Sequence, residues 1–428
     1  MRKLDIRNNV LYFAGQNTVK LAEKFKTPLY VYSELMIQDK ITNLKTNFLD
    51  KYKNVEAYYA SKAFLNLAMG RIIKKSNLGI DVASMGELYI ALKAGIAPNK
   101  IMFHGNNKSL EEIAYALKND VLQFVVDNYY ELVNLDNLAK KLNKEVTVLI
   151  RISPMLKTIE THDFISTGQT DSKFGITLEE TNIKKVFTFG LKSKNLKIVG
   201  LHFHVGSQLH TNKNMLEAVD VTFSLIKELK DNYNFTCQKL DVGGGFGIRY
   251  TNDDKVKPLA YFTDAIYEAV KTNVGKYNLS FPTLIIEPGR YIVGEAAITL
   301  YTVGAVKKIP NVRNYAAIDG GMTDNLRVAL YQAKYDVLLA NKANNQKTVV
   351  YTIVGKACES TDKLFKDVKL PEINPRDILV VFSTGAYENS LANNFNKMLK
   401  PATVLIKDEV VSLIQKRESL ADLIKNDL

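Results

Sequence analysis

Short β-rich runs alternate with helical segments along most of this chain, and no other feature restricts its fold as much. The runs are VEAYY at 55–59, GIDV at 79–82, IMFH at 101–104, QFVVD at 123–127, VTVLIRI at 146–152, IVGLHFH at 198–204, KLDVGGG at 239–245 and TLIIEP at 283–288. The stretches between them, such as MGELYIALKAG and SLEEIAYALKN, carry apolar residues at helical spacing. Eight strands alternating with helices predict a (β/α)8 barrel of TIM type. After Arg290 the rhythm changes. AAITLYTVGAVKKI, NYAAIDGG, TVVYTIVG and DILVVFSTGAY read as strands without regular helices between them, which predicts a second, mainly antiparallel β domain. The expected division is a barrel over 27–290 and a β domain made of 1–26 and 291–428. NNVLYFAG adds an N-terminal strand to the β domain, and RESLADLIK forms a closing helix.

In such barrels the chemistry sits at the C-terminal ends of the strands. Those ends carry Lys62, Asp81, His104, Asp127, Arg151, His202 and His204, the glycines 243–245, and Glu287 with Arg290. Polar groups at one or two ends are unremarkable; charged or imidazole groups at nearly every end mark a site. GGGFG at 243–247 lies between a strand and a helical region, where backbone N–H groups and the helix dipole favour an anion such as phosphate, although a tight turn explains the glycines as well. HVGSQ at 204–208 brings the Ser207 hydroxyl to the same anion. Glu287 closes an apolar run and needs a partner there. That partner is either Arg290 or a heteroaromatic nitrogen that the carboxylate keeps protonated.

His202 and His204 share one face of their strand. An H-x-H pair can bind zinc, but no third and fourth ligand is evident, so no metal is expected. A lysine, an anion cradle, an acid for a ring nitrogen and a flat histidine together are the parts required by pyridoxal phosphate. In that reading Lys62 bonds to the cofactor aldehyde, and the acid tunes the ring as an electron sink.

Composition excludes several other classes. The 428 residues are 46% hydrophobic and 24% charged, as in an ordinary globular protein. The net charge of +12 is spread in short runs such as KSKNLK, without a basic block interleaved with aromatics, so nucleic-acid binding is not expected. No apolar run approaches the ~20 residues that span a bilayer, and the N-terminus has no apolar signal core. Two cysteines, Cys237 and Cys358, suit a reducing cytoplasm.

With these residues in place, the chain resembles the fold-type III pyridoxal-phosphate decarboxylases over nearly its whole length, and most closely the diaminopimelate decarboxylases. YASKA is similar to the family's cofactor-lysine motif at Lys62. DVASMGEL, with Asp81, and HFHVGSQ also match, and the resemblance implies that His204 stacks on the cofactor ring. GGGFG (Gly243, Gly244 and Gly245) matches the phosphate loop, and EPGR supplies the ring-nitrogen acid Glu287 and a substrate-binding Arg290. THDFISTGQTDSKFGI at 161–176 is similar to a mobile loop near the family's active site. DGGMTDNLRVALY, GKACESTD and GAYENS continue the match. They imply that Arg327, Tyr331 and Glu359 bind substrate, that Tyr387 contacts both cofactor phosphate and substrate, and that Cys358 is a general acid.

The resemblance further implies a homodimer with shared sites, into which Cys358 and Glu359 reach from the partner subunit. The implied reaction is decarboxylation of meso-2,6-diaminopimelate to L-lysine and CO2. Glu359 distinguishes this branch from ornithine-type relatives, which more often carry Asp. Other decarboxylases of the fold, acting on ornithine, lysine, arginine or carboxynorspermidine, remain alternatives, as does a non-catalytic pyridoxal-phosphate-binding paralogue. An amino-acid racemase fits less well, because racemases of this fold place an arginine, not an acid, against the ring nitrogen. Ser61, Val328 and Lys356 depart from the family pattern, which has Leu, Pro and Pro there.

Overall fold

A computed structural model describes residues 4–156 and 172–428. The eight expected strands all form: β1 Val55–Ala60, β2 Gly79–Val82, β3 Ile101–Phe103, β4 Gln123–Val126, β5 Val146–Arg151, β6 Leu196–His202, β7 Lys239–Asp241 and β8 Thr283–Ile286. Each pairs in parallel with the next, and the ring closes where β8 pairs with β1, Leu284 opposite Val55. Alternation points Tyr58, Met102, Val125, Leu149, Val199 and Ile285 into one buried cluster.

The turns that follow the strands are fixed locally. The helices after β1 to β4 begin on Asn66, Ser84, Ser109 and Asn128, and each of these side chains accepts an N–H from the first helical turn. Such a cap contributes about 1 kcal/mol. Lys108 joins the ends of β3 and β4. Its buried Nζ donates to the Gly105 and Val125 carbonyls at 2.9 and 2.8 Å and to Glu131 Oε1 at 2.6 Å. Glu131 Oε2 in turn accepts the Asp127 N–H. The strand ends therefore sit on a rigid rim.

Of the described residues, those at 41–247 and 256–291 form the barrel unit, and those up to 40, at 248–255 and from 292 form a second unit. The second unit is a nine-stranded sheet, mainly antiparallel, with Ala297–Ile309 at its centre. Its core packs Tyr301, Val303, Ile318, Tyr335, Tyr351, Ile353, Phe365 and Leu379. Two features differ from the sequence reading. NNVLYFAG gives Val10–Phe13, which falls in the second unit but in a three-stranded sheet of its own, and residues 27–40 and 248–255, expected in the barrel, fall in the second unit too. The strand that the N-terminal region does supply to the large sheet is Leu29–Ser33, between Ala297–Ile309 and Ala402–Lys407. All five of its residues are buried, so its sequence shows no alternation to reveal which unit it joins. The closing helix is Leu420–Ile424, capped by Ser419.

Candidate active site

All eight strands deliver a polar side chain to the same end of the barrel. Asp81 lies within β2, Arg151, His202 and Asp241 end β5, β6 and β7, and His104, Asp127 and Glu287 each stand one residue beyond β3, β4 and β8. Lys62 is two residues past β1, in a short 3-10 turn at Ser61–Ala63, and not at the strand end itself. It is exposed, and its charge acts on both Asp81 and His204.

Glu287 is the centre of this group. His104 Nε2 approaches its Oε1 at 3.0 Å and His202 Nε2 at 3.6 Å, with all three side chains buried. Burial works against the Glu287 charge, but the two imidazoles outweigh it and hold the carboxyl well below its usual range. Burial also lowers both histidines, His202 to about 3. Asp81 and Asp241 are pushed well above the carboxylate range, by burial first and the Glu287 charge second. The Glu287 charge thus works against a further negative charge on either aspartate. Arg151 and Asp127 form a further pair at 3.7 Å, with the Phe174 ring 4.3 Å from the guanidinium.

The glycine loop is shaped by close approach. Gly243 and Gly245 hold φ of 68° and 100°, in the left-handed region, and a Cβ on Gly244 would lie 2.1 Å from the Glu287 carbonyl oxygen. A Cβ on Gly243 would stand 2.7 Å from His204 Nδ1, so the missing side chain makes room for that imidazole. Asp241 Oδ1 accepts the Gly243 N–H at 2.9 Å. Arg290 donates to Ser207 Oγ at 2.8 Å, which ties the EPGR turn to the HVGSQ turn.

A family model for the pyridoxal binding domain of pyridoxal-dependent decarboxylases matches residues 37–294. Diaminopimelate decarboxylase of Bacillus subtilis is 43% identical over 98% of this chain and 95% of its own. The solved diaminopimelate decarboxylase of M. jannaschii in complex with L-lysine superposes with a TM-score of 0.92 at 35% identity, covering 99% of this chain and 97% of that one. The enzyme of Helicobacter pylori complexed with L-lysine gives 0.86 at 33% identity, covering 96% and 98%. The chain belongs to the diaminopimelate decarboxylase family.

The barrel residues fit this family's cofactor, pyridoxal 5'-phosphate. The glycine loop offers backbone N–H groups where no side chain has room, Lys62 stands just past the end of β1, and the buried Glu287 carboxyl stands just past the end of β8. His104, His202 and Glu287 also bring three ligand atoms within 4.8 Å of one another. The same closeness of the two imidazoles is what lowers the Glu287 carboxyl. The expected H-x-H pair is divided: His202 joins Glu287, and His204 lies beyond β6 against Gly243.

The family's remaining motifs lie in the β unit. Arg327 is buried on the short helix Leu326–Tyr331, and Tyr331 is half-buried at its end. Cys358 is exposed and Glu359 partly so, on a loop held at several points. The Cys358 N–H donates to Asn396 Oδ1 at 2.7 Å, and Glu359 Oε1 accepts from the Thr361 N–H and hydroxyl. Asp362 accepts the Ala357 N–H at 3.0 Å and the Met322 N–H at 2.8 Å, joining the CES and GGM loops. Tyr387 adopts φ of 78°, unusual for an aromatic residue. Of the departures, the Lys356 charge acts on Asp319 and Val328 packs against the core, while the buried Ser61 hydroxyl has no hydrogen-bond partner among the described residues.

Residues 161–171 of the expected mobile loop lie outside the described residues; the described end carries Phe174. Sequence reasoning did not find Asp241, although its spacing two residues before Gly243 is a turn signal. It named His104 only as a strand-end group and assigned Glu388 no role.

Proposed function

We propose that this chain decarboxylates meso-2,6-diaminopimelate to L-lysine and CO2 in the last step of lysine biosynthesis. Family membership over the full chain supports the reaction, and the observation that carries the mechanism is the buried Glu287 carboxyl held against His104 and His202 at the barrel mouth. Bound pyridoxal phosphate supplies an electron sink for the carbon that loses CO2. Lys62 provides the amine that bonds to it. The Gly243–Gly245 backbone and Ser207 would hold its phosphate, and the His204 imidazole would serve its ring. Glu287 keeps a proton on the ring nitrogen, with His104 and His202 supporting its charge.

Cys358 would be the general acid that delivers a proton to the substrate carbon once CO2 has left, a role worth about 10²–10⁴-fold. Arg290, Arg327, Tyr331, Glu359 and Tyr387 grip the far end of the substrate. Arginines suit its carboxylate, and Glu359 suits its ammonium. Cys358 and Glu359 act in the site of the neighbouring subunit of a homodimer. The setting is the cytoplasm, where the exposed Cys358 thiol stays reduced. Among the described residues, no helix is long and apolar enough to cross a membrane. The deciding assay supplies meso-diaminopimelate, ornithine, lysine and arginine to the holoenzyme. Release of CO2 with L-lysine from the first alone supports the reading, and preference for another substrate overturns it.

A further inference from the structure

Glu388 follows Tyr387 directly in GAYENS, and its side chain is fully buried. Its Oε1 accepts from Arg327 NH1 at 3.3 Å and from the Tyr335 hydroxyl, which is itself hydrogen-bonded to the same guanidinium nitrogen. The Arg327 guanidinium also stands 4.7, 5.6 and 6.0 Å from the ring centres of Tyr250, Tyr335 and Tyr387. The arginine is thus caged by one carboxylate and three aromatic faces. Arg327 Nε is buried and has no hydrogen-bond partner among the described residues. Tyr387 adopts its left-handed backbone immediately before the short helix Glu388–Leu391, so the buried Glu388 anchors the strained residue as well.

We propose that Glu388 is a positioning residue for recognition of the substrate's far carboxylate. Its carboxylate orients Arg327 and, through the adjoining peptide, Tyr387. The inference rests on the functional reading that Arg327 and Tyr387 meet the substrate. An arginine side chain has many rotamers, and fixing one before the ligand arrives removes that ordering cost from binding. Simple charge compensation would act with the opposite sign: removing a neighbouring carboxylate would strengthen the attraction of Arg327 for an anion.

L-lysine reports on this contact without chemistry, because decarboxylation at one end of meso-diaminopimelate leaves the other carboxylate in the product. The test measures L-lysine affinity by calorimetry, with KM and kcat for meso-diaminopimelate, on holoenzyme carrying E388A, E388Q, Y335F or R327A. E388A and R327A are expected to weaken L-lysine binding and raise KM by about tenfold or more, with kcat changed much less. E388Q, which keeps an acceptor oxygen for both donors, recovers most of the loss. A folded E388A that binds L-lysine as well as the wild type, or better, while R327A does not, overturns the role of Glu388 and leaves the proposed reaction standing. If E388A does not fold, Y335F decides, since it removes only the hydroxyl that bridges the pair: weakened L-lysine supports the proposal and unchanged affinity overturns it. A wild-type holoenzyme that neither binds L-lysine nor releases it defeats the functional reading, and this inference with it.

Discussion

His104 Nε2 stands 3.0 Å from Glu287 Oε1, and this contact lets a carboxylate keep its charge where burial alone would neutralise it. The charge is needed only if something opposite must stay protonated. Glu287→Gln is therefore expected to retain cofactor but to lose on the order of 10²-fold or more in kcat, with a smaller change in KM. Steady-state kinetics beside a cofactor titration checks this, and a near-normal kcat removes Glu287 from the role.

Lys62 is expected to be the attachment point. Holoenzyme should absorb near the boundary of the visible and ultraviolet and lose that band on borohydride reduction. Peptide mass mapping should then find the adduct on Lys62, and Lys62→Ala should give none. An adduct on another lysine refutes the assignment.

Gly244→Ala tests the cradle. Its Cβ would lie 2.1 Å from the Glu287 carbonyl oxygen, so the backbone that carries Glu287 must shift. Overpacking of this kind costs about 1–3 kcal/mol. The variant should melt earlier and bind pyridoxal phosphate more weakly, both readable in the apoprotein.

Asp324 links stability to pH. Burial raises its pKa from 3.8 to about 7, against the Tyr301 hydroxyl and the Gly321 N–H that favour its charged form. Between these values the folded chain holds a proton that the unfolded chain has released, so stability falls as pH rises from about 4 to 7. The displacement corresponds to roughly 4 kcal/mol at and above neutral pH. Asp324→Asn keeps an acceptor for Tyr301 and should flatten the difference between melting curves at pH 5 and pH 8. An unchanged slope would place the proton elsewhere.

The proposed sharing of sites between subunits predicts a complementation result. A Lys62→Ala chain mixed with a Cys358→Ala chain should regain up to about a quarter of wild-type activity if subunits exchange at random, because one site of each hybrid has both residues. Verified exchange with no recovered activity would place Cys358 in its own chain's site or outside the chemistry.

The barrel was legible because its signal repeats: eight strands, each with a helix and an end residue, leave little freedom in topology. Lys62, the glycines and Glu287 were legible because each stands just past a strand, where its residue type is unusual. The partners of Glu287 were not. His104 and His202 come from the third and sixth strands, and only closure of the ring brings them to the same oxygen. Glu388 was hidden for a different reason: its meaning depends on Arg327, 61 positions away in sequence. The membership of Leu29–Ser33 was illegible because a strand buried on both faces looks alike in either unit.

That strand also orders the synthesis of the chain. Leu29–Ser33 leaves the ribosome before any barrel strand, yet its neighbours Ala297–Ile309 and Ala402–Lys407 are translated after all eight. Since domains tend to fold as units during translation, the barrel can close on the nascent chain while this apolar five-residue strand still has no partner. For that interval LYVYS is an unpaired, chargeless edge of the kind that chaperones bind and that aggregates recruit.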